Sequence, residues 1–149
     1  MRWPAPLSRP RPQATGFAAS ITLRAIANNW HRGVSRAVSN VGNNEINFKA
    51  PYPRISIYDA IKKFSGVDIS EMDESKLRET ANKLNVEIDK TMGKGKIIDS
   101  IFGDICEPNF IQPTFIIDYP LEMSPLTKKH RSKPNLTERF ELIVNGKEI

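Results

Sequence analysis

Apolar residues recur at helical spacing in three segments of the middle of the chain. In the first, Ser56 and Asp59 form a capping-box pattern ahead of an apolar stripe that ends at Gly66. A second amphipathic helix is predicted over residues 73–84. A third is predicted after Gly93, where five apolar residues share one face: Ile97, Ile98, Ile101, Phe102 and Ile105.

Strand patterns replace helical ones after Pro108. Residues 115–117 form a short apolar run between turn-forming residues, which predicts a buried strand. A polar connection over 123–135 follows and carries five basic residues: Lys128, Lys129, His130, Arg131 and Lys133. That composition is typical of a solvated loop. The order of elements predicts an α+β fold, with a helical segment beside part of an antiparallel sheet.

The end of the chain has the pattern of a β-hairpin. A strand predicted over 137–144 leads into Asn145-Gly146, a strong signal for a two-residue type I′ turn. Such a turn places Ile143 opposite Glu148. The chain stops three residues into the return strand, and a strand that short has little to pair with. We therefore expect the C-terminus to be a truncation.

This hairpin register brings acidic side chains onto one face of the sheet. Because side chains alternate along a strand, Arg139, Glu141 and Ile143 share a face. Glu148 joins them from the return strand, as a diagonal neighbour of Glu141 at roughly 7–8 Å. Three residues are expected to point the other way, into a core: Phe140, Leu142 and Val144.

Two converging carboxylates repel each other unless a cation lies between them. A divalent ion that prefers oxygen ligands, such as Mg²⁺, could fill that role at Glu141 and Glu148. The alternative is that Arg139 or Lys147 neutralises both carboxylates at an exposed surface. The spacing alone leaves these two interpretations open.

Charge divides the chain into two unlike parts. The net charge is +5, and residues 1–47 account for all of it with six arginines, no lysine and one acid. Residues 48–149 carry sixteen basic and sixteen acidic residues. A broad basic groove for a nucleic-acid backbone is therefore not indicated in the second part.

Three hypotheses compete for residues 1–47. An arginine-rich, acid-poor start is typical of a mitochondrial transit peptide. Its arginines could also bind RNA, with Trp3 or Trp30 stacking on bases. The abrupt change in composition favours a third explanation, a segment that is not homologous to the rest. In each case we expect it to be largely disordered.

Two smaller features have ordinary explanations. Gly93-Lys94-Gly95-Lys96 lacks the Walker spacing and any preceding strand, so it is interpreted as the start of a helix and not as a phosphate loop. Cys106 is the single cysteine, which excludes an internal disulfide and indicates a buried small apolar residue.

Residues 110–149 carry a specific resemblance. The segments Pro113–Leu126, PTFIIDYPLEMSPL, and Leu136–Ile149, LTERFELIVNGKEI, closely resemble the lysyl branch of the class II aminoacyl-tRNA synthetases. The run Tyr52-Pro53-Arg54-Ile55-Ser56 is similar as well. The resemblance covers about residues 48–149, which it identifies as part of a class II catalytic domain with a helical insertion.

The resemblance implies a reaction and a site. Such enzymes activate lysine with ATP to lysyl-adenylate and transfer it to tRNA(Lys), with Mg²⁺ neutralising the phosphates. The family's Mg²⁺-binding and ATP-binding glutamates match Glu141 and Glu148, and no catalytic residue is assigned within this chain. The resemblance also implies a homodimer in the intact enzyme, a cytoplasmic location and no membrane partner.

The same resemblance implies missing parts. The family's dimer-forming motif, its arginine motifs for ATP, its lysine-binding element and its anticodon-binding barrel match nothing in this chain. We expect the isolated polypeptide not to activate lysine. The alternatives are a non-catalytic interaction protein derived from a synthetase fragment, and a mitochondrial form with a genuine transit peptide.

Overall fold

A computed structural model of the chain describes residues 38–149. These residues form three α-helices, two short 3-10 helices and two β-sheets. The strands are β1 (Val38–Val41), β2 (Asn44–Asn47), β3 (Arg54–Ser56), β4 (Thr114–Pro120), β5 (Leu136–Val144) and β6 (Lys147–Glu148). The helices are α1 (Ile57–Ser65), α2 (Glu74–Lys83) and α3 (Lys94–Ile105). The predicted α+β class is confirmed, and none of these helices is long and apolar enough to cross a membrane.

Helix α1 begins and ends where the local signals predicted. Ser56 is its N-cap and accepts a hydrogen bond from the Asp59 backbone N–H at 3.1 Å. The Ser56 hydroxyl in turn donates to the Asp59 carboxylate at 2.6 Å. Gly66 ends the helix with φ 75°, a left-handed conformation that glycine adopts without strain.

We expect Ser56→Ala to lower the free energy of unfolding by about 1 kcal/mol, because the Asp59 N–H loses its only side-chain acceptor. Urea denaturation of the purified chain measures the change. Ser56→Thr is the matched control, since its hydroxyl can still cap the helix. An alanine variant as stable as the wild type would contradict a capping role.

The other two helices also follow their patterns. Helix α2 is capped by Asp73, whose carboxylate accepts from the Lys76 N–H at 2.9 Å. Helix α3 begins at Lys94, so the interpretation of the glycine-lysine run as a helix start is confirmed. Its apolar face lies in the main hydrophobic core, which also takes in the single, fully buried cysteine, Cys106.

The larger sheet has the strand order β3-β4-β5-β6. Strand β3 pairs parallel with β4, and the remaining pairs are antiparallel. The β4–β5 register shifts between Ile117 and Tyr119, so Asp118 lies in a bulge with φ 59°. At the last hairpin, Asn145 and Gly146 both have positive φ, as a type I′ turn requires.

The helices cover the sheet face that bears Glu141. Ile116 and Ile143, on that face, are fully buried in the same core as the helices. Phe140 points to the opposite face and is 65% exposed. The expectation that Phe140, Leu142 and Val144 face a core is therefore wrong for Phe140, although Val144 is buried. The reason is that both faces of β5 carry apolar residues, and only packing decides which one the helices cover.

Part of the segment expected to be disordered is ordered. Strands β1 and β2 form an antiparallel hairpin in which Ile46 is fully buried. The Asn44 amide donates to the Asn145 side chain at 2.7 Å, which joins this hairpin to the last one. The expectation of disorder is thus incorrect for residues 38–47. The hypotheses of a transit peptide and of RNA-binding arginines rest mainly on residues that lie outside the described range.

Candidate functional site

The structure gives the two glutamates the backbone relation that the sequence predicted. Glu141 lies near the middle of β5, opposite Ile116 on β4. Glu148 lies on β6, opposite Ile143, so it is the diagonal neighbour of Glu141 across the hairpin. Their environments differ. The Glu141 side chain is only 11% exposed, whereas Glu148 is at the surface.

The Glu141 carboxylate is held by two neighbours. The Tyr119 hydroxyl donates a hydrogen bond to Oε2 at 2.5 Å. The Arg139 guanidinium forms an ion pair with Oε1 through Nη2. Oε1 is buried, and its partner among residues 38–149 is the Arg139 guanidinium. Arg139 therefore does neutralise Glu141, but in a largely buried place and not at an exposed surface.

Arg139 is itself fixed by its surroundings. Its Nη1 donates to the Ser124 hydroxyl at 2.7 Å, and Ser124 is buried. Its guanidinium carbon lies 4.7 Å from the centre of the Tyr119 ring, within cation–π range. Three contacts thus hold the guanidinium beside Glu141.

Further acids lie near the site and affect the pKa values of its residues. Burial raises the pKa of Glu107, and the nearby charges of Asp99 and Glu148 raise it further. Burial also raises the pKa of the Tyr119 hydroxyl; Arg139 opposes that change, while Glu148, Glu107 and Asp99 add to it. Three acids and Arg139 thus act in opposite directions on Tyr119, the residue that contacts Glu141, and Arg139 has the largest effect among these charges.

The hairpin turn is held in place even though β6 has only two residues. The Asn145 N–H donates to the Ile111 carbonyl, and the Gly146 N–H donates to the Phe110 carbonyl, both at 3.0 Å. A Cβ at Gly146 would lie 3.3 Å from the Pro108 Cα, so the turn packs closely on the short 3-10 helix before Phe110. These contacts support the strand that carries Glu148.

The donor set suits a hard divalent cation that arrives with other ligands. Across residues 38–149, no group of three or more acidic, histidine or cysteine side chains is placed to hold a metal ion on its own. Two carboxylates are present, Glu141 in a largely buried place and Glu148 at the surface. Mg²⁺ is commonly held by one or two carboxylates together with substrate phosphates and water. The residues therefore fit Mg²⁺ bound with a polyphosphate.

Sequence reasoning missed two residues of this site. Tyr119 was assigned to the turn formers after the first strand, and Ser124 to the polar connection. The bulge at Asp118 turns Tyr119 toward Glu141, and the apolar pattern of the strand does not indicate that bulge. The one available signal was the positive-φ tolerance of aspartate next to a strand.

Comparisons with known proteins agree with the resemblance of the last forty residues. A sequence model of the family described as tRNA synthetases class II (D, K and N) matches residues 15–149, which includes part of the arginine-rich start. A lysine–tRNA ligase of Porphyromonas gingivalis is 62% identical over 109 residues, and one of Christiangramia forsetii is 61% identical over 108. These stretches cover 73% and 72% of this chain, but 19% of each relative. The chain thus spans about a fifth of the length of the curated relatives it matches.

Proposed function

The chain belongs to the class II tRNA synthetases (D, K and N), and from that premise we propose that it is part of a lysine–tRNA ligase. Relatives named lysine–tRNA ligase, at about 60% identity, support the lysyl branch over the other two. The proposed reaction joins lysine to ATP, releases pyrophosphate, and passes lysine from lysyl-adenylate to tRNA(Lys). Because the chain matches only about a fifth of each relative, this activity is proposed for the longer enzyme.

The role proposed for this chain is to supply the carboxylates of the Mg²⁺–ATP site. Glu141 and Glu148 would hold the cation, with Glu141 fixed by Tyr119 and Arg139. When bound, Mg²⁺ supplies positive charge that neutralises the ATP phosphates during attack by the lysine carboxylate. The observation that carries the proposal is the diagonal pair of glutamates across the last hairpin, on the segment that carries the specific resemblance to the family.

The test is a chimera. The segment of the Porphyromonas gingivalis ligase that matches this chain is replaced by the corresponding residues of this chain, and lysine-dependent ATP–pyrophosphate exchange is measured. We expect exchange to be retained, because 62% identity preserves the core. Glu141→Gln or Glu148→Gln should then lower exchange at limiting Mg²⁺ by roughly 10–100-fold.

Glu138→Gln is the matched control. It is the same substitution on the same strand, but Glu138 pairs with Arg131 on the opposite face of the sheet, so exchange should be unchanged. If the Glu141 and Glu148 variants behaved like this control, the metal assignment would be wrong. A folded chimera with no exchange at all would favour the non-catalytic interaction protein.

We further propose a cytoplasmic, homodimeric enzyme whose substrates are ATP, lysine and tRNA(Lys). The single buried cysteine supports a reducing compartment. The boundary at residue 47 between the arginine-rich start and the catalytic segment stays a proposal as well, although the family model already matches from residue 15. Mass spectrometry of the purified native protein would show whether the first residues are present.

A further inference from the structure

We propose that Tyr119 and Arg139, with Ser124 behind Arg139, are positioning residues that fix the Glu141 carboxylate for its cation before the cation binds. This inference rests on the proposed function, because it concerns the same metal site. None of the three is proposed to touch the cation. Their role is to decide which lone pairs of Glu141 remain available and in which direction they point.

Tyr119 acts on one carboxylate oxygen. Its hydroxyl donates to Glu141 Oε2 at 2.5 Å, and the ring is 2% exposed, so the hydroxyl has little freedom to turn elsewhere. A glutamate side chain has three rotatable bonds, and one short hydrogen bond removes most of that freedom. Oε2 thus has a defined place, and Oε1 follows because the carboxylate is planar.

Arg139 supplies the charge that lets Glu141 stay ionised in a buried place. An ionised carboxylate that is buried without a partner is strongly unfavourable, because it loses its contacts with water and gains no opposite charge. The guanidinium contacts Oε1, and the Tyr119 hydroxyl donates to Oε2. Because each oxygen of an ionised carboxylate can accept more than one partner, the pair tolerates burial and Glu141 still has lone pairs for a cation.

Ser124 holds the Arg139 guanidinium in its place beside Glu141. The Ser124 hydroxyl accepts from Nη1 at 2.7 Å, and its backbone is held by two turn hydrogen bonds, from Ser124 N–H to the Leu121 carbonyl and from Thr127 N–H to the Ser124 carbonyl. Without that acceptor, Arg139 could swing toward the exposed Glu148 and neutralise the second ligand. The turn that follows β4 therefore helps to set the position of the Glu141 carboxylate.

The experiment uses the full 149-residue chain labelled with ¹⁵N. The probe is Mn²⁺ supplied with tripolyphosphate, because the two carboxylates of residues 38–149 do not make up a metal site on their own. Paramagnetic broadening of the Glu141 and Glu148 amide signals is followed as Mn²⁺ is added, and it yields an apparent affinity for this site alone. Tyr119→Phe removes only the hydroxyl, and we expect the affinity to fall by roughly tenfold. Ser124→Ala should weaken it by less, since Arg139 keeps two other contacts.

Tyr52→Phe is the matched control. It also removes one hydrogen-bonded phenol, which donates to the Phe48 carbonyl at 3.0 Å, but Tyr52 stacks against Phe115 on the opposite face of the sheet. Its Mn²⁺ affinity should equal that of the wild type. Urea denaturation of each variant separates loss of stability from loss of binding.

A double-mutant cycle decides whether Tyr119 acts through Glu141. In a Glu141→Gln background, Tyr119→Phe should cause no further change in Mn²⁺ affinity. The positioning role alone would be overturned if the Tyr119→Phe variant bound Mn²⁺ as tightly as the wild type or more tightly, while Glu141→Gln and Glu148→Gln weakened binding. If Mn²⁺ did not broaden these amides, or if the glutamine variants bound it equally well, both the metal site and its positioning would fall.

Discussion

Gly95→Ala should lower the free energy of unfolding of this chain by about 3 kcal/mol, at the upper end of the usual range for overpacking. The result is unexpected from helix propensity, because alanine inside a helix normally gains about 1 kcal/mol over glycine. Here a Cβ would lie 2.3 Å from the Glu122 carbonyl oxygen and 2.6 Å from its carbon. Both atoms are backbone, so no side chain can turn aside to make room.

The strain should spread beyond the helix. Gly95 lies in the first turn of α3, whose buried residues Ile97 and Ile101 belong to the core. Glu122 lies in the short 3-10 helix that leads directly into Ser124. Separating the two elements to admit a methyl group therefore opens the core and also moves the acceptor of Arg139.

Gly103→Ala is the control for this prediction. Gly103 lies in the same helix, and a Cβ there would meet nothing within 4 Å. That variant should gain up to about 1 kcal/mol from helix propensity. Urea denaturation of the two variants and the wild type measures both changes. Equal stabilisation by the two substitutions would show that α3 is not packed against Glu122 as described.

Asp118→Ala should also have a large effect, a loss of about 3–4 kcal/mol in unfolding free energy. The Asp118 side chain is 9% exposed and pairs with Lys133 Nζ at 2.5 Å and with His130 Nε2 at 3.5 Å. Removing the carboxylate leaves a largely buried His130 and a half-exposed Lys133 without their partner. The backbone adds to the loss of stability, because φ at position 118 is 59° and alanine tolerates that conformation less well than aspartate.

The Asn variant separates these two terms. Asp118→Asn loses the charge but keeps a side chain that favours left-handed backbone, so it should lose about 1–2 kcal/mol less than the alanine variant. Lys133→Ala should also be destabilising, because it leaves the largely buried Asp118 carboxylate with only His130 beside it. Urea denaturation gives all three values. An alanine variant within 1 kcal/mol of the wild type would exclude the proposed burial of this ion pair.

Short-range patterns predicted the elements well. Ser56 and Gly66 bound α1, and the Asn145-Gly146 turn pairs Ile143 with Glu148 as predicted. Each of these features depends on a few neighbouring residues, through capping hydrogen bonds or through the φ values that a turn requires. The diagonal relation of the two glutamates follows from the same local register, which is why it could be stated without a structure.

Long-range packing decided the rest. The face of β5 that carries Glu141 has two charged residues and one apolar residue, Ile143, whereas the opposite face is mostly apolar. Only the position of the helices places Glu141 inside and leaves Phe140 outside. Tyr119 reaches Glu141 because a bulge at Asp118 shifts the strand, and that bulge is held by Lys133 from a distant part of the loop.

The sequence by itself therefore determined the helices, the hairpin and the pair of carboxylates, because these depend on residues a few positions apart. The tertiary structure alone decided that Glu141 is buried and bound by Tyr119 and Arg139, while Glu148 stays at the surface. Whether a residue is buried depends on what packs against it. The helices whose core covers this face of the sheet come from segments that are remote from Glu141 along the chain.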